Sequence, residues 1–309
     1  MKRILTVVLM LALLVSMLCS CVSQQSEKTE ILLVTSFYPV YIFTKNIVNG
    51  IDDIRVECMA EQNTGCLHDY QLLSRDARLI SDADAFIING AGMETFLEDV
   101  YMSVENLTVI DSSENVELLE FCESHNEENH EEHHHEEHNH SVNSHIWMSP
   151  NNAVIQVSNI ADALSSMYPQ YENDITKNKD SYIKTLKALS AELAESAKGL
   201  KGKNIITFHE SYDYLAKDYS FNVIATVESH DGNEPSAKGL AELTEIIKEH
   251  NVKVLFTEPD YKGSAATVLS NETGVAICVL NPVTKGDNSL TSYEDIMREN
   301  MNFILKAVG

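Results

Sequence analysis

Histidine dominates the chemistry available to this sequence. Seven of its twelve histidines lie within residues 123–140, where they are interleaved with seven glutamates. Imidazole nitrogens suit zinc, copper, nickel and iron, and carboxylates add negative charge, so such a tract can collect divalent cations without a fixed geometry. A run this polar has no apolar face to bury, which predicts a flexible loop. We interpret residues 123–140 as an accessory metal-collecting loop, with a solvated charge run as the alternative.

Five histidines lie outside this loop, and three of them stand where a ligand would have to stand. His209 directly follows a predicted strand, His68 lies in the loop after another strand, and His145 precedes a predicted helix. Ligands of open α/β sheets bind beyond the carboxyl ends of the strands. The remaining two, His230 and His250, carry no comparable signal and are not predicted as ligands.

The elements that must position these histidines follow a βα rhythm. Short apolar runs alternate with longer amphipathic segments, which is typical of parallel sheets covered by helices. Strands are predicted at 31–36, 54–59, 85–89, 107–110, 205–208, 221–227, 252–257 and 275–280. Helices are predicted around 40–48, 74–81, 93–103, 152–167, 211–217, 237–249, 261–271 and 291–307. The pattern favours an α/β protein of two open lobes with a ligand cleft between them.

One further helix, predicted over residues 169–200, is the longest periodic segment. Its apolar positions recur at helical spacing: Ile175, Tyr182, Ile183, Leu186, Leu189, Leu193 and Ala197. A helix of about 28 residues extends roughly 40 Å, which is long enough to connect two lobes. The predicted domains are therefore an N-terminal lobe at 21–168, which includes the loop at 123–140, a linking helix at 169–200 and a C-terminal lobe at 201–309.

The first twenty residues have the features of a secretory signal. A basic start precedes an apolar stretch at 4–18 that is too short for a convincing membrane span. The residues before Cys21 resemble a bacterial lipobox, with Leu18 at minus three and Ser20 at minus one. This implies cleavage after residue 20 and lipid on the Cys21 thiol, hence a bacterial protein that is extracytoplasmic and anchored to the cell membrane. An uncleaved anchor is the alternative.

Charge and cysteine content narrow the partners further. The chain carries 22 basic and 47 acidic residues, a formal net charge of −25, which argues against nucleic acid and suits attraction of cations. The cysteine spacing matches no CxxC zinc pattern. Export permits a disulfide, and Cys58 with Cys66 is the one pair beyond the signal that is close in sequence.

Four segments in order resemble the zinc-binding branch of the solute-binding lipoproteins that serve metal ABC importers. They read GCLHDYQLLSRDARLISDADAFIINGAGMETFLEDV, SHIWMSPNNAVIQVSNIADAL, TFHESYDYLAKDYSF and EPSAKGLAELTEIIKEHNVKVLFTEP. The similarity covers nearly all of residues 30–309 and includes a His-rich acidic loop before the second segment. The resemblance implies two Rossmann-like lobes joined by one long rigid helix, with metal held in the cleft between the lobes.

The resemblance also implies a ligand set. His68 in HDYQLLSRD matches the first ligand of the family, His145 in HIWMSP the second and His209 in TFHESY the third. Three neutral imidazoles favour zinc over manganese, and manganese-binding relatives typically carry Glu in place of His209. The family commonly places an acid in the word LDPL, where this chain reads LNPV with Asn281. A neutral amide is a poor zinc ligand, so a water, a loop Glu or a loop His is left to complete the tetrahedron, with Asn281 hydrogen-bonding a bound water or a histidine.

By resemblance, then, the chain is expected to be a monomeric receptor that captures Zn²⁺ as its transported ligand. It would deliver the ion to an ABC permease powered by a separate ATPase. No GxxxxGK[ST] loop is present, so ATP hydrolysis by this chain is not predicted. The alternatives are a manganese or iron receptor of the same class, a zinc hydrolase and a surface adhesin. The hydrolase word HExxH would need histidine where Asp213 stands, and no enzymatic activity is predicted.

Overall fold

The computed structural model describes residues 30–62, 67, 70–120, 142–228, 234–259, 261 and 263–308. Several predictions concern other residues and lie outside the described ranges: the signal at 1–20, the anchor Cys21, the ligand His68, the thiol of Cys66, the loop at 123–140 and the loop residue His230. Within these ranges, no helix combines the length and the apolar character that crossing a bilayer requires.

The first lobe is built on a parallel four-stranded sheet. Its strands are β1 (Ile31–Thr35), β2 (Ile54–Cys58), β3 (Ala85–Ile88) and β4 (Thr108–Asp111), in the order β2-β1-β3-β4. The helices that connect them are α1 (Tyr38–Ile47), α2 (Ser74–Ser81) and α3 (Glu98–Met102). The two central strands are almost wholly buried, as parallel strands covered on both faces must be. This sheet confirms the predicted βα pattern.

One helix of the first lobe differs from its prediction. The segment 93–103 was expected to be a single helix, but a 3-10 turn at Thr95–Leu97 precedes the five-residue α3. Ala91 and Gly92 have φ angles of 52° and 84°, in the left-handed region. These residues keep a helix from extending before residue 93, and Glu94, with φ −99° and ψ 19°, also departs from α-helical geometry, so the helix starts later than predicted.

After the first sheet, α4 (Pro150–Met167), the last helix of the first lobe, forms a helical hairpin with α5 (Glu172–Ser196). Ser149 is the N-cap of α4, and its Oγ accepts a hydrogen bond from the backbone N–H of Asn152 at 3.1 Å. Pro150 occupies the first helical position, where a missing N–H is tolerated. The helix therefore begins two residues before the predicted start.

The linking helix α5 is flanked by tighter turns. Its 25 α-helical residues extend roughly 37 Å, and 3-10 turns at Pro169–Tyr171 and Ala197–Leu200 complete the predicted span. Short 3-10 turns are common at helix ends because the last groups lack i→i+4 partners. All predicted apolar positions of this segment are buried except Ile183, which is half-buried. The buried stripe packs against α1, α4 and the C-terminal helix.

The second lobe contains another parallel sheet, in the order β10-β9-β7-β8. Its strands are β7 (Asn204–Thr207), β8 (Asn222–Thr226), β9 (Val254–Thr257) and β10 (Ala276–Val279). Its helices are α6 (Asp213–Tyr219), α7 (Ala237–Glu249), α8 (Ala265–Thr273) and α9 (Ser292–Val308). Helix α8 begins four residues later than predicted. The Glu234 carboxylate accepts the backbone N–H groups of Ser264 and Ala265 and so fixes the helix start there.

A small antiparallel pair was not predicted. Strands β5 (Leu119–Glu120) and β6 (Val142–Asn143) pair on either side of residues 121–141. Two-residue strands have too few positions to show a period of two, and 21 residues separate them in the sequence, so no pattern could indicate the pairing. The pair matters because it ends two residues before His145.

The C-terminal helix α9 returns to the first lobe. The hydroxyls of Tyr38 and Ser292 lie 2.8 Å apart, and the Tyr293 ring packs on Phe43 with centroids 5.1 Å apart. The main apolar core consequently runs from the first lobe through α5 and α9 to β9, while a second core covers the other face of the second sheet. The two lobes are thus joined along one side by continuous packing. Among the described residues, Cys58 and Cys278 are free thiols, and the pairing of Cys58 with Cys66 stays a prediction because Cys66 lies outside them.

Candidate metal site

The two lobes present one imidazole each across the cleft between them. In the second lobe, β7 leads through Phe208 to His209 at the carboxyl edge of the sheet. In the first lobe, His145 follows β6 and precedes a 3-10 turn at Ile146–Met148. His145 is fully buried and His209 is 8% exposed. Their Nε2 atoms lie 3.1 Å apart, so the structure brings together two of the three predicted ligands.

Asn143 orients the ring of His145. Its Oδ1 accepts the backbone N–H of His145 at 3.0 Å, and its Nδ2 donates to the Glu210 carbonyl and to Asp213 Oδ2, both at 3.0 Å. This network assigns the amide orientation, since a backbone N–H can only donate. The same Oδ1 lies 2.9 Å from His145 Nδ1, so that ring nitrogen must carry a proton. The Nε2 of neutral His145 therefore bears a lone pair.

Glu228 orients the ring of His209 in the same sense. Its Oε2 lies 2.9 Å from His209 Nδ1, and a carboxylate accepts hydrogen bonds, so Nδ1 carries the proton. The backbone N–H of Glu228 donates to the Phe208 carbonyl at 2.9 Å, which continues the β7–β8 pairing beyond the strands. The sheet thereby places the carboxylate beside His209 and leaves its Nε2 with a lone pair directed at His145.

Two lone pairs that face each other at this distance suit a cation. Neutral imidazoles cannot hydrogen-bond through two acceptor nitrogens, and a metal ion that both nitrogens bind removes their repulsion. Nitrogen ligands about 2.0–2.1 Å from a tetrahedral zinc ion lie about 3.3 Å from each other. The observed Nε2–Nε2 distance of 3.1 Å is close to that edge length. The hydrogen bonds on the far side of each ring prepare both nitrogens for one ion.

Acidic groups concentrate at the second-lobe side of this site. A carboxylate oxygen of Glu210 and one nitrogen each of His145 and His209 lie within 4.8 Å of one another. Burial raises the pKa of Asp213 to about 6, and the Glu210 charge adds to this, whereas the Asn143 hydrogen bond and His209 oppose it. Glu258, which follows β9, accepts a hydrogen bond from the Ser211 hydroxyl at 2.9 Å. The local charge favours a cation.

Asn281, which stands where the family commonly has an acid, is held by its own hydrogen bonds. Its Nδ2 donates to the Lys285 carbonyl at 2.8 Å, and its backbone pairs with the Asn300 side chain in both directions. Its Oδ1 is buried and has no hydrogen-bond partner among the described residues. The next carbonyl, of Pro282, accepts Trp147 Nε1 at 2.8 Å, and the Trp147 ring centroid lies 5.1 Å from that of His145.

Sequence reasoning did not assign three of the residues at this site. Glu210 adjoins His209, and Glu228 follows the predicted strand 221–227 at the same sheet edge, so both had a positional signal. Asn143 had none, because the strand that carries it is too short to recognise. His250, which was not predicted as a ligand, is the exposed C-cap of α7.

Two parallel-sheet lobes, joined by one long helix and facing each other across a cleft with an imidazole from each, define a two-lobed solute-binding protein. The chain belongs to the family described as zinc-uptake complex component A, periplasmic, whose model matches residues 33–307. Both the predicted fold class and the predicted family are confirmed.

Named relatives agree with the family. The chain is 32% identical over 300 residues to the zinc-binding lipoprotein AdcA of Streptococcus pneumoniae, covering 94% of this chain and 59% of AdcA. It is 33% identical over 287 residues to the high-affinity zinc uptake system protein ZnuA of Bacillus subtilis, covering 91% of this chain and 88% of the relative. The crystal structure of Zn(II)-bound AdcA from Streptococcus pneumoniae matches with a TM-score of 0.73 and 29% identity, over 90% of this chain and 58% of that one. The chain thus spans about three fifths of the AdcA relatives.

Proposed function

We propose that this protein is an extracytoplasmic receptor that captures Zn²⁺ in the cleft between its lobes and passes it to a membrane permease powered by a separate ATPase. The observation that carries the proposal is the pair of Nε2 atoms 3.1 Å apart, with each Nδ1 bound on the far side of its ring. Membership of the zinc-uptake family and the names of the relatives support the same metal. Zinc is the cargo, and no catalytic step is proposed.

The ligand types favour zinc over harder ions. Imidazole nitrogens bind zinc well, whereas manganese sites rely on carboxylate and carbonyl oxygens. His68 is proposed as a third imidazole ligand on the strength of the family resemblance. The strongest argument for manganese or iron as the cargo is the presence of three carboxylates near the site, those of Glu210, Glu228 and Glu258, because oxygen ligands suit those ions better than nitrogen ligands do. A metal titration decides between these cargoes.

Capture by ligands from both lobes makes the ion a link between them. His145 belongs to the first lobe and His209 to the second, so release requires at least one of these imidazoles to withdraw. The continuous core along α5 and α9 restricts large separation of the lobes. We therefore propose that handover to the permease proceeds through small local shifts at the cleft.

The remaining parts of the proposal come from the sequence. We propose that Cys21 carries the lipid that holds a monomeric protein at the outer face of the bacterial cell membrane. We further propose that the loop at 123–140 collects zinc near the cleft. Deleting residues 123–140 is expected to leave one tight site and remove weaker ones, measured by zinc titration with counted equivalents. Loss of the tight site on this deletion would contradict the placement of the main site in the cleft.

Competitive metal titration of the mature protein tests the main proposal. His145→Ala and His209→Ala are each expected to lower zinc affinity by more than about 100-fold, because each removes a direct ligand from a site of three or four. His68→Ala is expected to do the same. His250→Ala is the matched control, since this exposed cap of α7 has no role in the proposal and should leave zinc affinity unchanged. Tight manganese binding that His209→Ala leaves intact would overturn the zinc assignment.

A further inference from the structure

We propose that Glu210 supplies an anionic fourth ligand to the bound cation, in place of the acid that Asn281 replaces. This inference rests on the proposed function, because it concerns the same cleft. It assigns a metal-binding role to the residue after His209, and it makes the second lobe the source of two adjacent ligands. The first lobe then contributes imidazole only.

The position of Glu210 suits direct coordination. Glu210 is 8% exposed and begins the 3-10 turn Glu210–Tyr212 that follows His209. Its carbonyl accepts Asn143 Nδ2 at 3.0 Å, so the amide that orients His145 also fixes the backbone of Glu210. One carboxylate oxygen lies within 4.8 Å of a nitrogen of each histidine. A movement of about 1–2 Å, within reach of carboxylate rotation, would bring this oxygen to the ligand separation of a tetrahedral site.

The neighbouring carboxylates have other tasks. Glu228 binds the Nδ1 side of His209, which is the side opposite the lone pair directed at His145. Asp213 accepts from Asn143, and Glu258 accepts from Ser211. Among the described residues, Glu210 is the acid whose carboxylate lies close enough to both imidazoles to share a metal ion with them. It is therefore the acid best placed to coordinate the ion itself.

The amide of Asn281 is a weaker candidate. Its Nδ2 is bound to the Lys285 carbonyl at 2.8 Å, and the backbone is clamped by Asn300. Its Oδ1 is neutral, and zinc prefers Cys, His and carboxylate ligands. The buried Oδ1 has no hydrogen-bond partner among the described residues, so it suits a bound water. Such a water could hydrogen-bond the coordinated carboxylate without replacing it.

Charge balance gives the carboxylate a reason to coordinate. A divalent ion held by neutral imidazoles alone keeps its full charge in a site whose histidines are 0% and 8% exposed. Burial of uncompensated charge is unfavourable, and a coordinated carboxylate lowers the net charge by one. The same anion raises the affinity for the ion before the imidazoles close on it.

The test compares Glu210→Gln, Asn281→Ala and His209→Ala in the mature protein. Glu210→Gln keeps the shape and removes the charge, and it is expected to weaken zinc binding by about 100-fold, as expected for loss of a direct ligand. Asn281→Ala is expected to change zinc affinity by less than about threefold. Cobalt replaces zinc as a spectroscopic probe, and Glu210→Gln should change the visible absorption of the cobalt-loaded protein because a direct ligand is lost. Urea unfolding of the metal-free protein checks that each variant folds. If Glu210→Gln does not fold, Glu210→Ser takes its place in the test.

The outcomes separate this inference from the proposed function. If Glu210→Gln keeps zinc affinity within threefold and an unchanged cobalt spectrum while His209→Ala loses both, Glu210 is not a ligand and the receptor proposal stands. A larger loss with Asn281→Ala than with Glu210→Gln would transfer the role to Asn281 and overturn the inference. If none of the three variants alters zinc affinity, the cleft is not the zinc site and the proposed function fails.

Discussion

The two lobes hold their histidines by different chemistry. In the first lobe, fully buried His145 is oriented by the neutral amide of Asn143 and lies beside Trp147. In the second lobe, His209 is oriented by the carboxylate of Glu228 and is followed directly by Glu210. The first lobe therefore fixes geometry without adding charge, while the second lobe brings the negative charge that a cation requires.

Topology explains this division. The second sheet ends its parallel strands at one edge, so residues that follow separate strands meet there: His209 after β7, Glu228 after β8 and Glu258 after β9. His145 instead follows the short β5–β6 pair, where one amide serves several partners. The negative charge of the second lobe therefore comes from residues that follow several strands, whereas the orientation of the His145 ring in the first lobe depends on the single side chain of Asn143.

Apart from the loss of a ligand itself, the largest effect is expected from removing the side chain of Asn143. Asn143→Ala leaves the N–H groups of His145, the Glu210 carbonyl and the Asp213 carboxylate without their shared partner. We expect zinc affinity to fall by about 100-fold and the free energy of unfolding to fall by about 3 kcal/mol, as buried polar groups lose partners. Zinc titration and urea unfolding measure the two quantities. Asn222→Ala is the control, because the exposed Asn222 side chain donates to the Asn204 side chain at 2.9 Å, away from the site. An Asn143 variant as mild as this control would refute the dependence on one amide.

A buried acid of the first lobe provides the next test. Burial raises the pKa of Glu94 to about 7, although Ser36 and the backbone of Asn89 and Gly90 donate hydrogen bonds that lower it. Because the folded state holds this proton to higher pH than the unfolded chain does, its contribution to stability is lost as pH rises from about 4.5 to about 7. Relative to Glu94→Gln, the wild type should lose about 3 kcal/mol of unfolding free energy over that window.

Urea unfolding of both proteins from pH 4.5 to 8 measures this difference. Zinc affinity at pH 7 should differ less than threefold between them, because Glu94 accepts from the Ser36 hydroxyl and from the backbone N–H groups of Asn89 and Gly90, and from neither His145 nor His209. A flat difference in unfolding free energy across the pH range would show that Glu94 titrates alike in both states. A large loss of zinc affinity in Glu94→Gln would show that an acid of the first lobe also contributes to zinc binding, which contradicts the division between the two lobes.

A smaller effect is expected at the acid that orients His209. Glu228→Gln retains an oxygen that can accept from Nδ1–H but removes the negative charge behind the ring. Zinc affinity should fall by about 10-fold or somewhat more, since partners on the far side of a metal-binding histidine raise its basicity. Unfolding of the metal-free protein should change by less than about 1 kcal/mol. Glu117→Gln is the matched control, since Glu117 pairs with Lys217 at an exposed position.

Much of the fold, but only part of the site, could be predicted from the sequence. The hydrophobic runs of the buried strands and the stripe from Ile175 to Leu193 have strong periodicity, so their elements were placed within a few residues. His145 and His209 were singled out because they follow or precede such elements, and the family resemblance then implied that they are ligands. Asn143 was missed because its role arises from a two-residue strand whose partner lies across residues 121–141. Tertiary pairing of this kind leaves no local pattern to read.

A modest effect, on stability and not on zinc affinity, is expected where the lobes touch outside the site. Ser149 Oγ accepts the Asn152 N–H as the cap of α4 and donates to Asp218 Oδ2 of α6 at 2.6 Å, so one hydroxyl joins a first-lobe helix to the second lobe. Ser149→Ala removes both bonds and should lower the free energy of unfolding by about 1–2 kcal/mol, measured by urea unfolding. Ser166→Ala, at an exposed position of the same helix, is the control. Zinc affinity should stay within threefold, because the contact joins the lobes without orienting either imidazole. A larger loss of affinity would mean that the spacing of the lobes also sets the distance between the two Nε2 atoms, in addition to the hydrogen-bond partners of each ring.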